Sequence, residues 1–408
     1  MKLVIKQLLD GSCRLGQLTE LGRHTGRVID VPGCLMYTRG ASAPHLTQDM
    51  AKTIDKLPFG IQLTLPTLAE NHEVIEDYKL GIGSFTSQQD SLLFLSVQDP
   101  GTTIPSGYNE KQFVSIWTTG GRMRLSTATF TTMLKNMKPD WFECLYDGDV
   151  VPGTASKKRI RKSVDRTLQY LDDCLEVQQN SPELKNIEVF GVIEGGDSHD
   201  ERIRSAKETA KRPLSGFVLD GFQSDALATD VKQNLMMSVL KELPEDKPRL
   251  IHGCGRPDQV MQAVELGIDV FDSAFPYSVT ESGCALVFPF SYNHQSNVDS
   301  AVLEQSTDQE KSNYVNDNKA GISRYEINLT NESYKSDFTP LLADCKCYSC
   351  QNHTKAYINH LLVTKELLAR VLLMIHNFHH YFEFFETIRQ SIRDDKFQQL
   401  KKIIMDST

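Results

Sequence analysis

The chain has 408 residues, of which 40% are hydrophobic and 24% are charged, and its formal net charge is −9. This length and apolar content predict a large buried core, organised as one big domain with an appendage. The acidic balance argues against binding polyanions over the whole surface, although it leaves room for a local basic patch.

Composition also predicts the compartment. No run approaches the roughly 18 apolar residues needed to span a bilayer, and the N-terminal residues do not read as a signal peptide. The nine cysteines, an odd number, favour reduced thiols and a metal site over a disulfide framework. We therefore expect a soluble, cytosolic protein without a transmembrane segment.

Short apolar runs alternate with longer amphipathic stretches from about residue 59 to residue 290. In chain order the runs are FGIQLTL, LLFLSV, WFECLY, IEVFGVI, GFVL, RLIHG and IDVF. This alternation is typical of repeated βα units around a parallel sheet. We predict an α/β fold, a (β/α)8 TIM-like barrel, over residues 1–290. The alternative is a doubly wound sheet, but no Gly-rich phosphate loop follows an early strand.

Acidic residues follow five of these runs. They are Asp99, Asp147, Glu194, Asp220 and Asp272. In a closed barrel such strand ends converge on the face where the fold builds its sites. Each carboxylate could instead cap the next helix, but recurrence after five runs favours a shared site.

A dense run of positive charge lies in the segment SKKRIRKSVDR. Its cations are Lys157, Lys158, Arg159, Arg161, Lys162 and Arg166. This density suits phosphate contacts at the start of a helix. The alternative is an ordinary solvated helix face.

Residues 291–322 are rich in Asn, Ser, Gln and Asp and have no sustained periodicity. This composition predicts a polar, mobile surface insertion. Regular structure is expected to resume at SRYEINL, so that residues 323–408 form a separate segment packed on the barrel.

Three thiols lie within six residues, at Cys345, Cys347 and Cys350. This spacing lets a turn wrap a tetrahedral ion, for which zinc is favoured. The downstream candidates for a fourth ligand are His353, His360, His376, His379 and His380. We select His376, on an apolar segment that predicts a long helix starting near Thr364. A closed Cys3His site would hold one structural Zn²⁺ per chain; the alternative is three free structural cysteines.

The segment CKCYSCQNHTKAYINHLLVTKELLARVLLMIHNFHHYFEFF resembles the zinc-binding end of tRNA-guanine transglycosylases, with their Cys-x-Cys-x-x-Cys followed by a distant His-Asn. The resemblance selects His376 directly. Upstream, GRPDQVMQAVELGIDVFDSAFP is similar to the stretch that carries the family's nucleophilic aspartate. The likeness extends from VIDVPGCLMYTRGASAPHLT to about residue 390, and it implies a barrel with a C-terminal zinc-binding helical subdomain.

In catalytic members of this family, one aspartate attacks the ribose carbon that bears guanine, and a second manages proton transfer. The resemblance places the nucleophile position on Asp272, the second aspartate on Asp99, and the carboxylate that reads the base on Asp147. All three positions are still acidic.

Four motifs of the family's pocket are altered. The Asp-Ser-Gly-Gly-Phe-Gln motif reads Asp99-Pro100-Gly101-Thr102-Thr103-Ile104. Gln-Gly-Gly reads Glu194-Gly195-Gly196, and Gly-Gly-Leu reads Asp220-Gly221-Phe222. Pro-Thr-Arg reads Pro276-Tyr277-Ser278, which removes a cation near the substrate phosphates. Because catalysis needs a pocket held within about half an ångström of its productive geometry, these changes imply that base exchange is lost.

This pattern resembles the non-catalytic accessory subunits of the eukaryotic enzymes, which form heterodimers with a catalytic subunit that exchanges guanine for queuine at the wobble position of tRNA. Asp272, Asp99 and Asp147 would then be vestigial. The predicted tRNA contacts are Lys157, Lys158, Arg159, Arg161 and Lys162.

Two other functions stay open at this point. The chain could be a self-sufficient transglycosylase with Asp272 as nucleophile and Asp99 as general acid/base, or a carrier of queuine. Self-association of the isolated chain as a homodimer is also open. The resemblance further implies a cytoplasmic protein that can sit peripherally on the mitochondrial outer membrane.

Overall fold

The computed structural model describes residues 1–9, 12–223, 226–292 and 325–407. At its centre is a closed barrel of eight parallel strands. In chain order the barrel strands are Gly33–Tyr37, Gly60–Thr64, Leu92–Ser96, Trp141–Glu143, Glu188–Ile193, Gly216–Leu219, Arg249–Ile251 and Val270–Asp272. Each strand pairs with the next, and the last closes the barrel against the first. The predicted (β/α)8 barrel is confirmed.

The seven apolar runs each overlap a barrel strand, and the eighth strand is the one that the alternating pattern misses. Gly33–Tyr37 lies upstream of residue 59 and follows the strand Ile29–Val31 rather than a helix. The alternation of strand and helix is therefore absent at this position.

Helices surround the barrel. They are Gln48–Ala51, His72–Tyr78, Ile82–Phe85, Thr127–Met137, Lys157–Asn180, His199–Ala210, Thr229–Leu240, Pro257–Glu265 and Ala274–Glu281, with single 3-10 turns at Leu65–Thr67 and Ala69–Asn71. Three of the helices begin at serines, Ser126, Ser156 and Ser198, whose hydroxyl groups accept a backbone N–H from the first turn. In the helices that follow Asp147 and Glu194, Ser156 and Ser198 fill the capping role, so these two carboxylates are free for other contacts.

Two small antiparallel units complete the barrel domain. An N-terminal sheet of Lys2–Leu9, Cys13–Thr19 and Ile29–Val31 lies at the end where the barrel strands begin. There Arg14 Nε donates to Asp269 Oδ1 at 2.9 Å, one residue before the last barrel strand. A hairpin of Val114–Thr118 and Gly121–Leu125 follows the third barrel strand.

The C-terminal segment begins with the pairing of strands Cys284–Leu286 and Glu326–Asn328. It continues through the 3-10 turn Glu332–Ser336 and the helices Tyr348–Asn352, Lys355–Val363, Leu367–Arg393 and Phe397–Asp406. The long helix begins at Leu367 rather than near Thr364, because Lys365 adopts a left-handed backbone (φ 59°) that ends the preceding helix.

The predicted polar insertion at 291–322 lies outside the described residues except for Ser291 and Tyr292. The division into 1–290, 291–322 and 323–408 stays a prediction. Among the helices that the structure does describe, none has both the length and the apolar character needed to cross a bilayer.

Candidate metal centre and barrel pocket

Cys345, Cys347, Cys350 and His376 converge in one buried cluster. Their ligand atoms all lie within 4.8 Å of one another, and each residue is less than a tenth exposed. His376 Nδ1 is 3.6, 3.5 and 3.3 Å from the sulfurs of Cys345, Cys347 and Cys350 respectively. Zinc–ligand bonds of about 2.0–2.3 Å in a tetrahedron give ligand–ligand distances of roughly 3.5–3.8 Å. The donor set and spacing therefore suit a tetrahedral metal ion.

The second nitrogen of His376 sets the orientation of the ring. Nε2 donates to the carbonyl of Leu286 at 2.8 Å, which leaves the lone pair of Nδ1 directed at the three sulfurs. Asn377 holds the same strand, since its Oδ1 accepts the Leu286 N–H at 2.8 Å and its Nδ2 donates to the Cys284 carbonyl at 3.0 Å. The His-Asn pair thus attaches the long helix Leu367–Arg393 to the strand that leaves the barrel.

The cysteine loop is shaped by its own short helix. Cys347 is the N-cap of Tyr348–Asn352, and its sulfur accepts the Cys350 N–H at 3.4 Å. Ser349 donates to the Leu372 carbonyl at 2.6 Å, which fastens the loop to the long helix.

The other candidate histidines have different partners. His380 Nε2 donates to the Phe288 carbonyl at 3.1 Å, and His353 stacks on Tyr357 with ring centroids 5.2 Å apart. His379 lies near Cys345, but its Nε2 is paired with Glu383 at 3.4 Å, and His360 is exposed. The geometry therefore favours His376 as the fourth ligand.

Asp272 is buried at the end of the last barrel strand and both of its oxygens are engaged. Oδ1 accepts the Ala274 N–H at 2.9 Å, and Oδ2 accepts the Gly253 N–H at 2.6 Å. His252 Nδ1 lies 3.6 Å from the same Oδ2.

His252 joins Asp272 to a second buried carboxylate inside the barrel. Its Nε2 is 2.9 Å from Glu143 Oε2, and Glu143 Oε1 accepts the Val97 N–H at 2.6 Å. Burial opposes protonation of His252, but the charges of Glu143 and Asp272 outweigh it and raise the pKa of His252 to about 10. At neutral pH a cation therefore lies between two carboxylates, and Asp272 is part of a buried ionic triad.

Asp147 is the most completely bonded of the five strand-end carboxylates. Arg159 donates to both of its oxygens at 2.7 and 3.0 Å, Arg166 donates at 2.8 Å, and Asn109 donates at 3.0 Å. Burial opposes ionisation, but the hydrogen bonds from Arg159 and Arg166 outweigh it and lower the pKa of Asp147. The carboxylate that the resemblance assigns to base recognition is thus occupied by the protein's own donors.

Asp99 retains one oxygen without a hydrogen-bond donor among the described residues. Its Oδ1 accepts the Tyr37 hydroxyl at 2.7 Å and the Gly101 N–H at 2.9 Å, while Oδ2 is buried and unpaired. Burial raises the pKa of Asp99, although the hydrogen bond from Tyr37 acts in the opposite direction.

Glu194 and Asp220 form a second acidic group beside a buried arginine. Burial, and then the charge of Asp220, raise the pKa of Glu194 well above its usual value, so its neutral form is favoured. Arg202 donates to the carbonyls of Asp220 at 2.7 Å and Ile193 at 3.0 Å, and its guanidinium carbon lies 4.5 Å from the Phe222 ring centroid. The replacement of glutamine by Glu194 therefore adds less charge than the sequence alone indicates.

The cations of the predicted basic patch lie on two different faces of the helix Lys157–Asn180. Lys157, Lys158, Arg161 and Lys162 are exposed, whereas Arg159 and Arg166 turn inward to Asp147. Arg159 and Arg166 are spaced i, i+7 with Ser163 between them, which donates to the Asp147 carbonyl at 2.5 Å. The i, i+7 spacing places Arg159 and Arg166 on the same helix face, and it is the sequence feature that distinguishes them from the exposed cations.

Sequence reasoning did not identify Glu143, His252 or Arg202. Glu143 interrupts the apolar run WFECLY, which is a usable signal for a buried functional or structural charge. His252 lies 109 residues away in the chain, and only closure of the barrel brings the two side chains together.

A closed parallel barrel with a buried Cys3His cluster in its C-terminal segment is the arrangement that the resemblance to tRNA-guanine transglycosylases implies. The family model described as queuine tRNA-ribosyltransferase matches residues 10–408. The chain is 49% identical over 399 residues to a Gallus gallus protein named queuine tRNA-ribosyltransferase accessory subunit 2, covering 96% of this chain and 94% of that protein. It is 48% identical over 413 residues to the Homo sapiens protein of the same name, covering 99% of each. The Ixodes scapularis protein of that name is 39% identical over 388 residues, covering 92% of this chain and 93% of the relative. This chain belongs to the queuine tRNA-ribosyltransferase family.

Proposed function

We propose that this chain is a non-catalytic accessory subunit of queuine tRNA-ribosyltransferase. In this role it forms a heterodimer with a catalytic subunit and helps to bind tRNA while guanine is exchanged for queuine at the wobble position. The observation that carries the proposal is the saturation of Asp147 by Arg159, Arg166 and Asn109. A carboxylate with these partners has no free oxygen with which to recognise a purine. The names of the relatives agree with this role.

The self-sufficient enzyme with Asp272 as nucleophile is not favoured. Attack on a ribose carbon needs a carboxylate oxygen directed at the substrate, and both oxygens of Asp272 accept backbone N–H groups. Asp99 has the raised pKa that suits a general acid, but Asp272, the nucleophile that it would assist, is only 2% exposed and already paired on both oxygens. No described contact gives specific support to a queuine carrier.

One Zn²⁺ held by Cys345, Cys347, Cys350 and His376 is the second part of the proposal. A buried site with four protein ligands leaves no coordination position for water or substrate, so the ion would act structurally. Its effect would be to join the cysteine loop to the helix that also carries Asn377.

The exposed cations of the helix Lys157–Asn180 are the proposed phosphate contacts. Lys157, Lys158, Arg161 and Lys162 present their charge to solvent, which is the requirement for contact with an RNA backbone. Of the five residues predicted from the sequence, Arg159 is assigned instead to holding Asp147.

We propose an exposed aromatic ladder as the docking surface for the catalytic subunit. We define the ladder as Tyr348, His353 and Tyr357. The His353 ring lies 5.7 Å from Tyr348 and 5.2 Å from Tyr357, and the two tyrosines are 49% and 39% exposed. Aromatic residues are enriched at protein interfaces. The ladder extends from the helix Tyr348–Asn352, which carries Cys350, to the helix Lys355–Val363.

The direct test is base exchange on purified proteins. The chain alone, mixed with cognate tRNA and labelled queuine, should incorporate no label; addition of the catalytic subunit should give incorporation that depends on both chains. Turnover by the chain alone, abolished by Asp272→Asn, would establish the enzyme alternative.

A further inference from the structure

An exposed tyrosine lies on the loop between Asp99 and the hairpin Val114–Thr118/Gly121–Leu125. Tyr108 is 41% exposed. Its ring meets the edge of Trp117, with centroids 5.1 Å apart and planes at 83°. The guanidinium carbon of Arg122 lies 5.2 Å from the Tyr108 ring centroid. Aromatic rings backed by arginine are the surfaces on which proteins stack unpaired bases.

The backbone of Tyr108 is held in place before any ligand arrives. Its carbonyl accepts Arg122 Nη2 at 2.7 Å and the Ser115 hydroxyl at 2.9 Å. Arg122 Nε also donates to Ser115 Oγ at 3.0 Å. A ring on a fixed backbone loses little conformational entropy on binding.

The next residue connects this loop to the helix with the proposed phosphate contacts. Asn109 donates to Asp147 at 3.0 Å, and its carbonyl accepts Arg166 Nη1 at 3.3 Å. Tyr170, further along the same helix, donates to the Glu110 carbonyl at 3.1 Å. These hydrogen bonds therefore hold the loop that carries Tyr108 against the helix that carries the exposed cations.

The charge around Tyr108 is also complementary to RNA. Arg122 and Arg124 are both paired with the single carboxylate of Glu110, at 3.2 and 2.7 Å. A second carboxylate, that of Asp149, accepts the Gly107 and Asn109 N–H groups on either side of Tyr108. Lys111 is an exposed third cation, so three cations face two carboxylates and a small excess of positive charge remains.

We propose that Tyr108, backed by Trp117 and Arg122, stacks on an unpaired base of the bound tRNA. The exposed lysines of the adjoining helix then contact the flanking phosphates. This inference rests on the proposed role in tRNA binding and adds to it a preference for single-stranded nucleotides. Bases within a duplex are already stacked and offer no open face.

The test measures tRNA affinity of the reconstituted heterodimer over a range of salt concentrations. Four forms are compared: wild type, Tyr108→Leu, Tyr108→Phe, and a basic variant with Lys157, Lys158, Arg161 and Lys162 changed to Gln. Tyr108→Leu keeps apolar bulk but removes the aromatic face, and should raise Kd about 5- to 100-fold without changing the salt slope. Tyr108→Phe should stay within about twofold of wild type. The basic variant should lose a log–log slope of roughly 0.7 to 0.9 per phosphate contact.

A competition experiment gives an independent readout. A mixed-sequence single-stranded RNA should displace tRNA from the wild type better than a duplex of equal length, and Tyr108→Leu should reduce this difference. Equal affinity of Tyr108→Leu and wild type, with the basic variant weakened, would overturn the stacking inference alone. Normal affinity in all variants would overturn the proposed tRNA-binding surface itself.

Discussion

Arg159 donates hydrogen bonds to both carboxylate oxygens of Asp147, at 2.7 and 3.0 Å. This pair connects the first turn of a surface helix to the end of a barrel strand. The Arg159 guanidinium occupies both oxygens of Asp147. Its charge is therefore directed inward and is not part of the exposed basic patch. The proposed loss of base recognition and the shape of the basic surface therefore share one structural cause.

Arg159→Gln should affect stability, whereas Lys158→Gln should affect tRNA binding. Removing Arg159 leaves a buried carboxylate with fewer donors and should lower the unfolding free energy by about 1–3 kcal/mol, a range that allows for partial exposure of this arginine. Lys158→Gln should leave stability unchanged and weaken tRNA binding by the heterodimer. Thermal melting and a tRNA titration of both variants measure the two effects. Equal stability of the two variants contradicts the assignment of Arg159 to Asp147.

Asp272→Asn should leave turnover of the reconstituted heterodimer within about twofold of wild type. The reason is that Asp272 is bonded to Gly253, Ala274 and His252 instead of facing a substrate. The variant should melt at a lower temperature, because an amide has one oxygen to accept the two N–H groups. Initial rates of queuine incorporation at equal heterodimer concentration provide the measurement. A rate loss of a hundredfold or more, in a variant that remains folded and dimeric, would identify Asp272 as a nucleophile.

Metal analysis of the purified protein should give about one zinc per chain. Cys347→Ser should release the ion and expose the long helix to proteolysis, since a closed thiolate site contributes folding free energy when it is filled. Cys284→Ser is the matched control, because Cys284 is a buried free thiol outside the cluster. Zinc retained at full stoichiometry in Cys347→Ser contradicts the ligand assignment.

The sequence predicts those parts of the site that are local or periodic. The close spacing of the three cysteines brings them together in one loop, and the apolar runs place five carboxylates at strand ends. The pairing of His252 with Glu143 is set by barrel closure, which no local pattern encodes. The strand Gly33–Tyr37 was missed because another strand, and not a helix, precedes it. Arg159 points inward because it lies on the helix face that meets the barrel. The density of positive charge in the sequence does not distinguish that face from the exposed one.

Tyr357→Ala should weaken association with the catalytic subunit by at least about tenfold, as truncation of a central aromatic residue commonly does at interfaces. Its partner in the ladder, His353, stacks on this ring at 5.2 Å, so the change removes contact area at the exposed surface. Tyr78→Ala, which alters another exposed ring, is the control, and zinc content should be unaffected in both. Analytical ultracentrifugation of mixtures with the catalytic subunit gives the dissociation constants. If Tyr357→Ala associates as tightly as wild type, the ladder is not the docking surface.

Protonation of His252 should make stability depend on pH in the alkaline range. The folded-state pKa of about 10 lies above the ordinary value of 6.5, so the contribution to stability is fully present below pH 6.5 and is lost as pH rises through 10. His252→Gln removes the cation between Glu143 and Asp272 and should cost about 3–5 kcal/mol at pH 7. The difference in unfolding free energy between wild type and variant should then shrink as the pH approaches 10, because the wild-type imidazole also becomes neutral. His199→Gln alters an exposed histidine and should show no such convergence. Urea titrations at pH 7 and pH 10 supply the values, and a gap that stays constant between them contradicts a charged His252 in the folded protein.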